Sequence, residues 1–384
     1  MANQTLVLVT SSFPIGGDGS EAAGSFVVDL VEELARHLDV RVVAPGHSAI
    51  REQWSERVTV HRYAAPSRPL STLKPWRPND VGWIARVMRG GLGATRAAAA
   101  EGATHIVALW GLPCGEWARR VAREVGTDYS VWLLGSDVWS LGRVPVLRGI
   151  LAKVIKQARN AYADGYMLAD DARQIGNRPV EFLPSTRRID VIDPLPPRAR
   201  PPYRLLFLGR WHPNKGVDLL LDALESLSEA DWRNIESFEI QGGGPLGSMV
   251  HERVAALRGA SRPVIAGKFL AKADAEAAIE CSDWLVIPSR IESIPVVFSD
   301  AMKLRRPVIA TPVGDLGRLL SESKAGLVAQ GVTARDLAIT LRLALASNAS
   351  EFAVQTENLA AEFNLARIAE YLRIRCVGAV GDRT

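Results

Sequence analysis

Three stretches of the 384-residue chain carry side chains whose types and spacing could do chemistry. The first reads Phe207-Leu-Gly-Arg-Trp-His-Pro-Asn-Lys-Gly216. A strand pattern ends at Gly209, Arg210 and Lys215 project from the loop that follows, and a helix is expected over Val217–Leu227. Two cations at a strand's carboxyl end, beside a helix N-terminus with unpaired N–H groups, form an anion site. A diphosphate suits it, since a guanidinium can grip phosphate oxygens in pairs. By itself the stretch reads equally well as a surface loop with ordinary charges, and His212 within it as a bystander.

The second stretch is Gln241-Gly-Gly-Gly-Pro-Leu-Gly247. Gly242, Gly244 and Gly247 formally fit GxGxxG. A dinucleotide fingerprint also requires an acid ~20 residues on, at the end of the next strand, to hold a ribose. That strand ends at Gly267-Lys268-Phe269, which offers none. A nicotinamide cofactor therefore fits poorly. A tight turn through Gly243 and Gly244, open to close approach by a ligand, fits better. The third stretch runs from Asp283 to Ala310 and reads DWLVIPSRIESIPVVFSDAMKLRRPVIA. A buried strand ends at Pro288-Ser289, Glu292 sits in the loop, and Pro295 suits a first helical turn. Asp300, eight positions after Glu292, lies about a turn and a half into that helix. It could face the loop, so that two carboxylates converge at the strand ends. Alternatively Glu292 caps the helix and Asp300 is a solvated charge.

The elements that must position these residues follow from short apolar runs alternating with helical periodicity. In the first half the runs are Leu6–Val9, Val40–Ala44, Val58–Tyr63, His105–Trp110, Tyr129–Leu134, Gly165–Leu168 and Val180–Leu183. In the second half they are Arg204–Leu208, Ser237–Ile240, Pro263–Ala266, Trp284–Ile287, Val308–Ala310 and Gly326–Val328. Near-continuous apolar strands separated by helices imply parallel sheets covered on both faces. Between the halves, DPLPPRARPP (193–202) holds five prolines in ten residues, which reads as a hinge. The expected architecture is two doubly wound α/β domains facing a ligand cleft, with ligands at the carboxyl ends of strands.

Composition narrows the function classes. Apolar residues make up 47% and charged residues 23%, an ordinary globular balance that excludes disorder and fibrous classes. The net charge of +4 is too small to suggest a nucleic-acid partner. Cys114, Cys281 and Cys376 are far apart and lack the spacing of a disulfide framework or zinc site. No apolar run reaches the ~18 residues of a membrane span, and no signal peptide is visible, so a cytoplasmic protein is expected. The charge is uneven: residues 1–192 carry 23 Lys/Arg against 19 Asp/Glu. Residues 57–96 alone hold eight basic residues and one acid, with Trp76 and Trp83 interleaved. A second basic stretch, 143–159, reads as an amphipathic helix with Arg148, Lys153, Lys156 and Arg159 off its apolar face. Such a surface suits an anionic membrane or substrate, or is simply the solvated side of a packed helix.

The order GR-x4-KG, GxGP, a strand ending in GKF, PS-x2-ES-x-P-x4-DAM, RPVIATPVGDL and AGLV resembles the large retaining glycosyltransferase family of the GT-B fold. The resemblance covers about 200–330 most specifically. HIVALWGLPCG, VWLLGSDVW and the glycine-rich loop Gly16–Gly24 are similar to the family's first domain. Residues Phe363–Tyr371 resemble its tail, which packs back on that domain. The resemblance implies a first, acceptor-binding domain over 1–192, a nucleotide-sugar domain over 203–357 and a tail over 358–384.

It also implies roles. The family's E-x7-E motif appears here as Glu292-x7-Asp300. Glu292 would lie by the transferred sugar, and Asp300, one methylene shorter than the usual Glu, by the nucleotide ribose. Arg210 and Lys215 would bind the donor diphosphate, with backbone N–H groups of Ser293, Ile294 and Val296 adding to that site. Lys268 and Phe269 would meet the base. Gly16 and Gly17, or alternatively Gly24, would let the donor approach the first strand. Asp137 would contact the reacting hydroxyl or the sugar. No cofactor or metal is expected, since cations and helix N-termini do the metal's work and no DxD motif is present. The donor would be a nucleotide-diphosphate sugar, UDP being the commonest choice. The acceptor would be a saccharide or lipid-linked saccharide, in envelope polysaccharide or glycoconjugate assembly, with the enzyme peripheral on the inner membrane face if the basic face meets lipid. Two other readings stay open: a non-catalytic subunit that binds a sugar nucleotide or glycan, and a transferase acting on a small soluble acceptor.

Overall fold

The computed structural model describes residues 4–15, 24–66, 73 and 76–378. The chain forms two compact units: Met1–Pro184 with Leu365–Thr384, and Ser185–Asn364. The first contains β1 (Thr5–Val9), β2 (Asp39–Gly46), β3 (Arg51–Ser55), β4 (Val58–Ala64), β5 (His105–Leu109), β6 (Asp128–Leu133), β7 (Asn160–Ala163) and β8 (Glu181–Phe182). They form one sheet in the order β3-β4-β2-β1-β5-β6-β7-β8. Every pairing is parallel except the β3–β4 hairpin. Val7 and Val9 of β1 point into one core and Leu6 and Leu8 into the other, so both sheet faces are covered. Helices Pro78–Ala100, Glu116–Val125, Pro145–Gln157 and Tyr166–Gly176 bury Val87, Val121, Leu151 and Leu168 on the first face. Helices Ser25–Ala35 and Leu365–Val377 bury Leu30, Val31, Ile368 and Leu372 on the second.

Two local expectations are corrected here. The apolar run Gly165–Leu168 is not a strand; β7 lies just before it, and Tyr166 opens a helix. Leu168, Ala169 and Ala172 share the buried side of that helix, a period of three to four that a four-residue window cannot reveal. The edge strand β3 was not expected. Its residues alternate between exposed and half-buried, and Trp54 packs edge-on against Phe13 at 5.0 Å.

The second unit contains β9 (Tyr203–Arg210), β10 (Ile235–Gly243), β11 (Val264–Ala266), β12 (Trp284–Ile287), β13 (Val308–Ala310) and β14 (Gly326–Val328). The order β11-β10-β9-β12-β13-β14 is that of a doubly wound fold, with every pairing parallel. Its core gathers Phe238, Trp284, Leu220, Leu224 and Leu341. The strand order reverses its progression between the parallel neighbours β9 and β12, so the crevice at their carboxyl ends is the expected ligand position. The first unit has its reversal between β1 and β5.

The proline-rich stretch 193–202, expected as a hinge, lies inside the second unit. Its prolines lack N–H groups but present carbonyls: Arg305 Nη1 donates to Pro194 O at 3.0 Å and Arg198 Nη1 to Pro202 O at 2.8 Å. Asp283, 1% exposed, accepts the backbone N–H groups of Arg198 at 3.0 Å and Arg204 at 2.7 Å. Removing its carboxylate strands both donors. Asp283→Ala should therefore lower stability by about 2–4 kcal/mol, read as a fall in the urea midpoint, while Asp283→Asn, which keeps one acceptor, should lose less.

Candidate active site

The carboxyl ends of β9 and β12 are joined by loops that interlock through missing side chains. Gly216 has φ 69°, and a Cβ there would lie 1.8 Å from Pro288 O. Gly314 has φ 53°, and a Cβ there would lie 2.1 Å from Glu292 O. Only glycine meets both demands, of conformation and of space. Arg290 fastens the same loops, with Nη1 donating to Pro213 O at 2.8 Å and to Asp218 Oδ1 at 2.7 Å. Thr311 Oγ1 donates to Ser289 O at 2.5 Å. Backbone N–H groups of Arg290 and Ile291 both reach Asn214 O.

On this frame Lys215 Nζ is bonded to Glu292 Oε2, and Ser289 Oγ lies 3.4 Å from the same oxygen. Lys215 sits in a 3-10 turn, Pro213–Lys215, and the helix runs from Val217 to Glu225. Arg210, at the exposed end of β9, has no side-chain partner among the described residues. His212 accepts the backbone N–H of Asn214 at 3.1 Å through Nδ1. Burial, and then Arg210 and Lys215, hold its pKa below the ordinary value. The helix Val296–Lys303 starts after Pro295. Among the described residues the backbone N–H groups of Ser293, Ile294 and Val296 find no acceptor, and Ser293 Oγ is buried without a partner.

The glycine turn adjoins the same edge. Trp211 N donates to Gly243 O at 2.7 Å, and Gly244, φ 143°, packs on the Trp211 backbone. The Phe269 ring covers Gly243, where a Cβ would come within 2.7 Å of it. Lys268 is exposed, and its backbone N–H is held by Gln241 Oε1 at 3.2 Å. Arg210, Lys215, Gly243, Gly244, Lys268, Phe269, Glu292 and Ser293 therefore line one sheet edge.

Two other expected site residues are buried. Asp300 is not a solvated charge and does not pair across the loop with Glu292. It is 1% exposed, and its Oδ2 accepts Arg187 Nε at 2.8 Å. Oδ1 has no partner among the described residues. Burial pushes its pKa up to about 6, against the attraction of Arg187 and Lys303. Asp137 is likewise buried in the first unit. Its Oδ2 accepts the N–H of Gly111 at 2.6 Å and its Oδ1 that of Val138 at 3.1 Å. It thus fixes the turn after β5, where Trp110 adopts φ 70°. Gly16 and Gly17 lie outside the described residues. Sequence reasoning missed Arg187, Arg290 and Gly314. Gly314 carried a signal, as the only glycine in the TPVGDL run; the two arginines carried none.

A lysine–carboxylate pair, a free guanidinium and unpaired N–H groups at a switch point make a place for an anion next to a hydroxyl-bearing group. The comparison with known families bears on that site. Residues 202–347 match the model of the family Glycosyl transferases group 1. An uncharacterized glycosyltransferase of Methanocaldococcus jannaschii is 33% identical over 132 residues, 34% of this chain and 35% of that protein. A D-inositol 3-phosphate glycosyltransferase of Jonesia denitrificans is 33% identical over 153 residues, 37% of this chain and 34% of that protein. The chain thus spans about a third of the length of the curated relatives it matches. Among solved structures, sucrose-phosphate synthase from Thermosynechococcus elongatus superposes with a TM-score of 0.73 at 16% identity, covering 96% of this chain and 97% of that one. Anabaena HepE in complex with UDP-glucose gives a TM-score of 0.69 at 13% identity, covering 96% and 98%. The fold, two Rossmann-like α/β units, is GT-B. All the switch-point residues of the second unit fall within the stretch that matches the group 1 glycosyl transferases.

The raised pKa of Asp300 has a sign that can be measured. Its folded-state value, about 6, lies above the ordinary aspartate value of 3.8. The folded chain therefore binds this proton more tightly than the unfolded chain, and the stability gained at low pH is lost as pH rises through about 6. The melting-temperature difference between wild type and Asp300→Asn should move against wild type from pH 4.5 to pH 7, and a difference that stays constant would contradict the assignment.

Proposed function

We propose that the protein is a retaining, metal-independent glycosyltransferase. It moves a hexose from a nucleotide-diphosphate sugar to a hydroxyl of a saccharide or lipid-linked acceptor, in envelope polysaccharide or glycoconjugate assembly. The observation that carries this reading is the Lys215–Glu292 pair at the β9/β12 switch point, with Arg210 unpartnered beside it. A leaving nucleoside diphosphate gains negative charge as the glycosidic bond breaks. Fixed cations and backbone donors aimed at it stabilise that charge more in the transition state than in the ground state. Arg210 and Lys215 supply the cations, and Ser293, Ile294 and Val296 the N–H groups. Once phosphate engages Lys215, Glu292 is left with a free acceptor oxygen for the sugar's hydroxyls. Pro295 fits the break between those N–H groups, having none to offer.

Lys268 and the Phe269 ring offer the base a backbone edge and an apolar face, and Gly243 and Gly244 allow close approach. The acceptor that Asp300 would offer a ribose hydroxyl is Oδ1, since Oδ2 is engaged by Arg187. Asp137 acts in this reading as a positioning residue, each of its oxygens accepting a backbone N–H, from Gly111 and Val138. Retention follows if the acceptor attacks from the face the diphosphate leaves, with the departing phosphate taking its proton. That UDP and UDP-glucose occur in structures of the same fold favours a uridine donor.

A thermal-shift panel of nucleoside diphosphates tests the site, because a ligand that binds only the folded chain raises its melting temperature. UDP or a related diphosphate should stabilise the protein, and NAD should not. Arg210→Ala and Lys215→Ala should each weaken diphosphate binding by about 10–100-fold, the value of a hydrogen bond to a charged group. Glu292→Ala should keep diphosphate binding and lose turnover by roughly two to three powers of ten. Wild-type protein that binds sugar nucleotide yet never transfers or hydrolyses it would favour the non-catalytic subunit.

A further inference from the structure

We propose that Trp110, at the β1/β5 switch point of the first unit, is the platform on which a pyranose ring of the acceptor stacks. This deepens the transferase reading by assigning the residue that seats the acceptor, and it rests on that reading only for calling the bound sugar an acceptor. Trp110 is the residue after β5, and it adopts φ 70° and ψ 130°. A glycine takes a positive φ at little cost, whereas a bulky side chain there is a steric outlier. The backbone is held in that conformation from several directions. Trp110 N donates to Trp132 O at 2.9 Å, Trp110 O accepts the N–H of Gly115 at 3.0 Å, and the next N–H, of Gly111, donates to Asp137 Oδ2 at 2.6 Å. Asp137 is 1% exposed, so a carboxylate is taken out of water to fix this one turn. Strain that the surroundings over-determine gathers at ligand sites. Here it places a tryptophan where an open α/β sheet takes its ligand.

The surroundings of the ring suit a sugar. The Trp110 side chain is half-buried and meets the Phe26 ring edge-on, with centroids 6.4 Å apart. Leu134, just past the end of β6, is also half-buried, and all three pack against the same apolar cluster. Phe26, Trp110 and Leu134 follow β1, β5 and β6, which are neighbours in the sheet, so they stand at one edge. The indole N–H of Trp110 has no acceptor among the described residues, and it is not enclosed as those of Trp117, Trp211 and Trp284 are. By contrast, Trp132 Nε1 donates to Leu183 O at 2.9 Å and Trp139 Nε1 to Asp171 at 2.7 Å. A pyranose has a face of C–H bonds edged by hydroxyls. The C–H face suits an indole π surface, and a hydroxyl on the rim can accept the indole N–H. A phosphate or carboxylate would need cations at this point, and Phe26 and Leu134 offer it none.

Saturation-transfer NMR on the full chain tests this, with the methyl pyranosides of glucose, mannose, galactose and N-acetylglucosamine as probes. At least one should bind, with the strongest transfer on the ring hydrogens of one face. Trp110→Phe keeps a π face and should weaken that binding by no more than about threefold. Trp110→Leu fills the same apolar space without a π face or an N–H, and should weaken it about tenfold. In wild type, the indole N–H resonance that Trp110→Phe removes should shift as the pyranoside is added, a readout that a packing role would leave still. Binding of none of the four overturns the proposal. So do equal losses in Trp110→Phe and Trp110→Leu, a Trp110 resonance that stays put while a pyranoside binds, or a loss that follows Glu292→Ala rather than Trp110→Leu. Thermal shifts of the wild type with UDP separate the two readings. A UDP shift with no pyranoside bound overturns the sugar platform alone. A pyranoside bound through Trp110 with no UDP shift supports the platform and removes its link to the transferase reading.

Discussion

The ion pair between Lys215 and Glu292 joins loops that lie 77 positions apart in sequence. Gly216 lets the first loop pass under Pro288 O, and Gly314 lets a third loop back against Glu292 O. A Cβ at either position would push the loops apart and separate cation from carboxylate. The rest of the second unit serves this junction. The parallel order of β9 and β12 brings both loop origins to one edge, and burial of Leu205 and Trp284 fixes those strands in place. Chemistry that needs a cation and an acceptor within one hydrogen bond thus depends on two positions that carry no side chain at all.

Much of this was legible in the sequence, for a definite reason. Parallel strands buried on both faces leave continuous apolar runs such as Leu6–Val9 and Trp284–Ile287, and residues after such runs must emerge at a common edge. Arg210, Lys215, Gly243, Lys268 and Glu292 could be grouped on that basis without knowing any contact. Asp300 could not be placed by the same logic. Helical spacing gives its angle around the helix, but its partner Arg187 is 113 positions away, in a connecting segment with no periodicity to read. The surroundings of Asp137 were hidden for a related reason. A carboxylate flanked by Gly and Ser looks available to ligand, whereas the twist at Trp110 turns the Gly111 N–H onto it. The prolines of 193–202 signalled a break in regular structure, which is correct, but a break need not be a hinge when its carbonyls are bonded to neighbouring arginines.

Helix Val296–Lys303 connects the site to the segment that enters the second unit. Val296 at its start, with Ser293 and Ile294 just before it, carries the unpaired N–H groups. Further along, Ser299 Oγ lies 3.1 Å from Thr186 Oγ1, Asp300 holds Arg187, and Lys303 Nζ donates to Thr186 Oγ1 and Arg187 O, both at 2.6 Å. Thr186 Oγ1 also reaches Phe363 O at 3.2 Å, and the Phe363 ring meets Phe298 edge-on. Asp300 retains a raised proton affinity because taking its charge out of water costs more than Arg187 returns, as is general for enclosed ion pairs.

The return of Leu365–Val377 to the first unit means that this unit is assembled from both ends of the chain. Leu30, Val31 and Leu34 share their apolar cluster with Ile368, Ala369 and Leu372. During synthesis on the ribosome, the amino-terminal sheet emerges long before the helix that roofs one of its faces. That face, covered in part by helix Ser25–Ala35, stays partly open while some 180 intervening residues are made and fold. A nascent chain of this design carries a partly unroofed apolar surface until Leu365–Val377 has been made, and so offers chaperones a long interval for engagement.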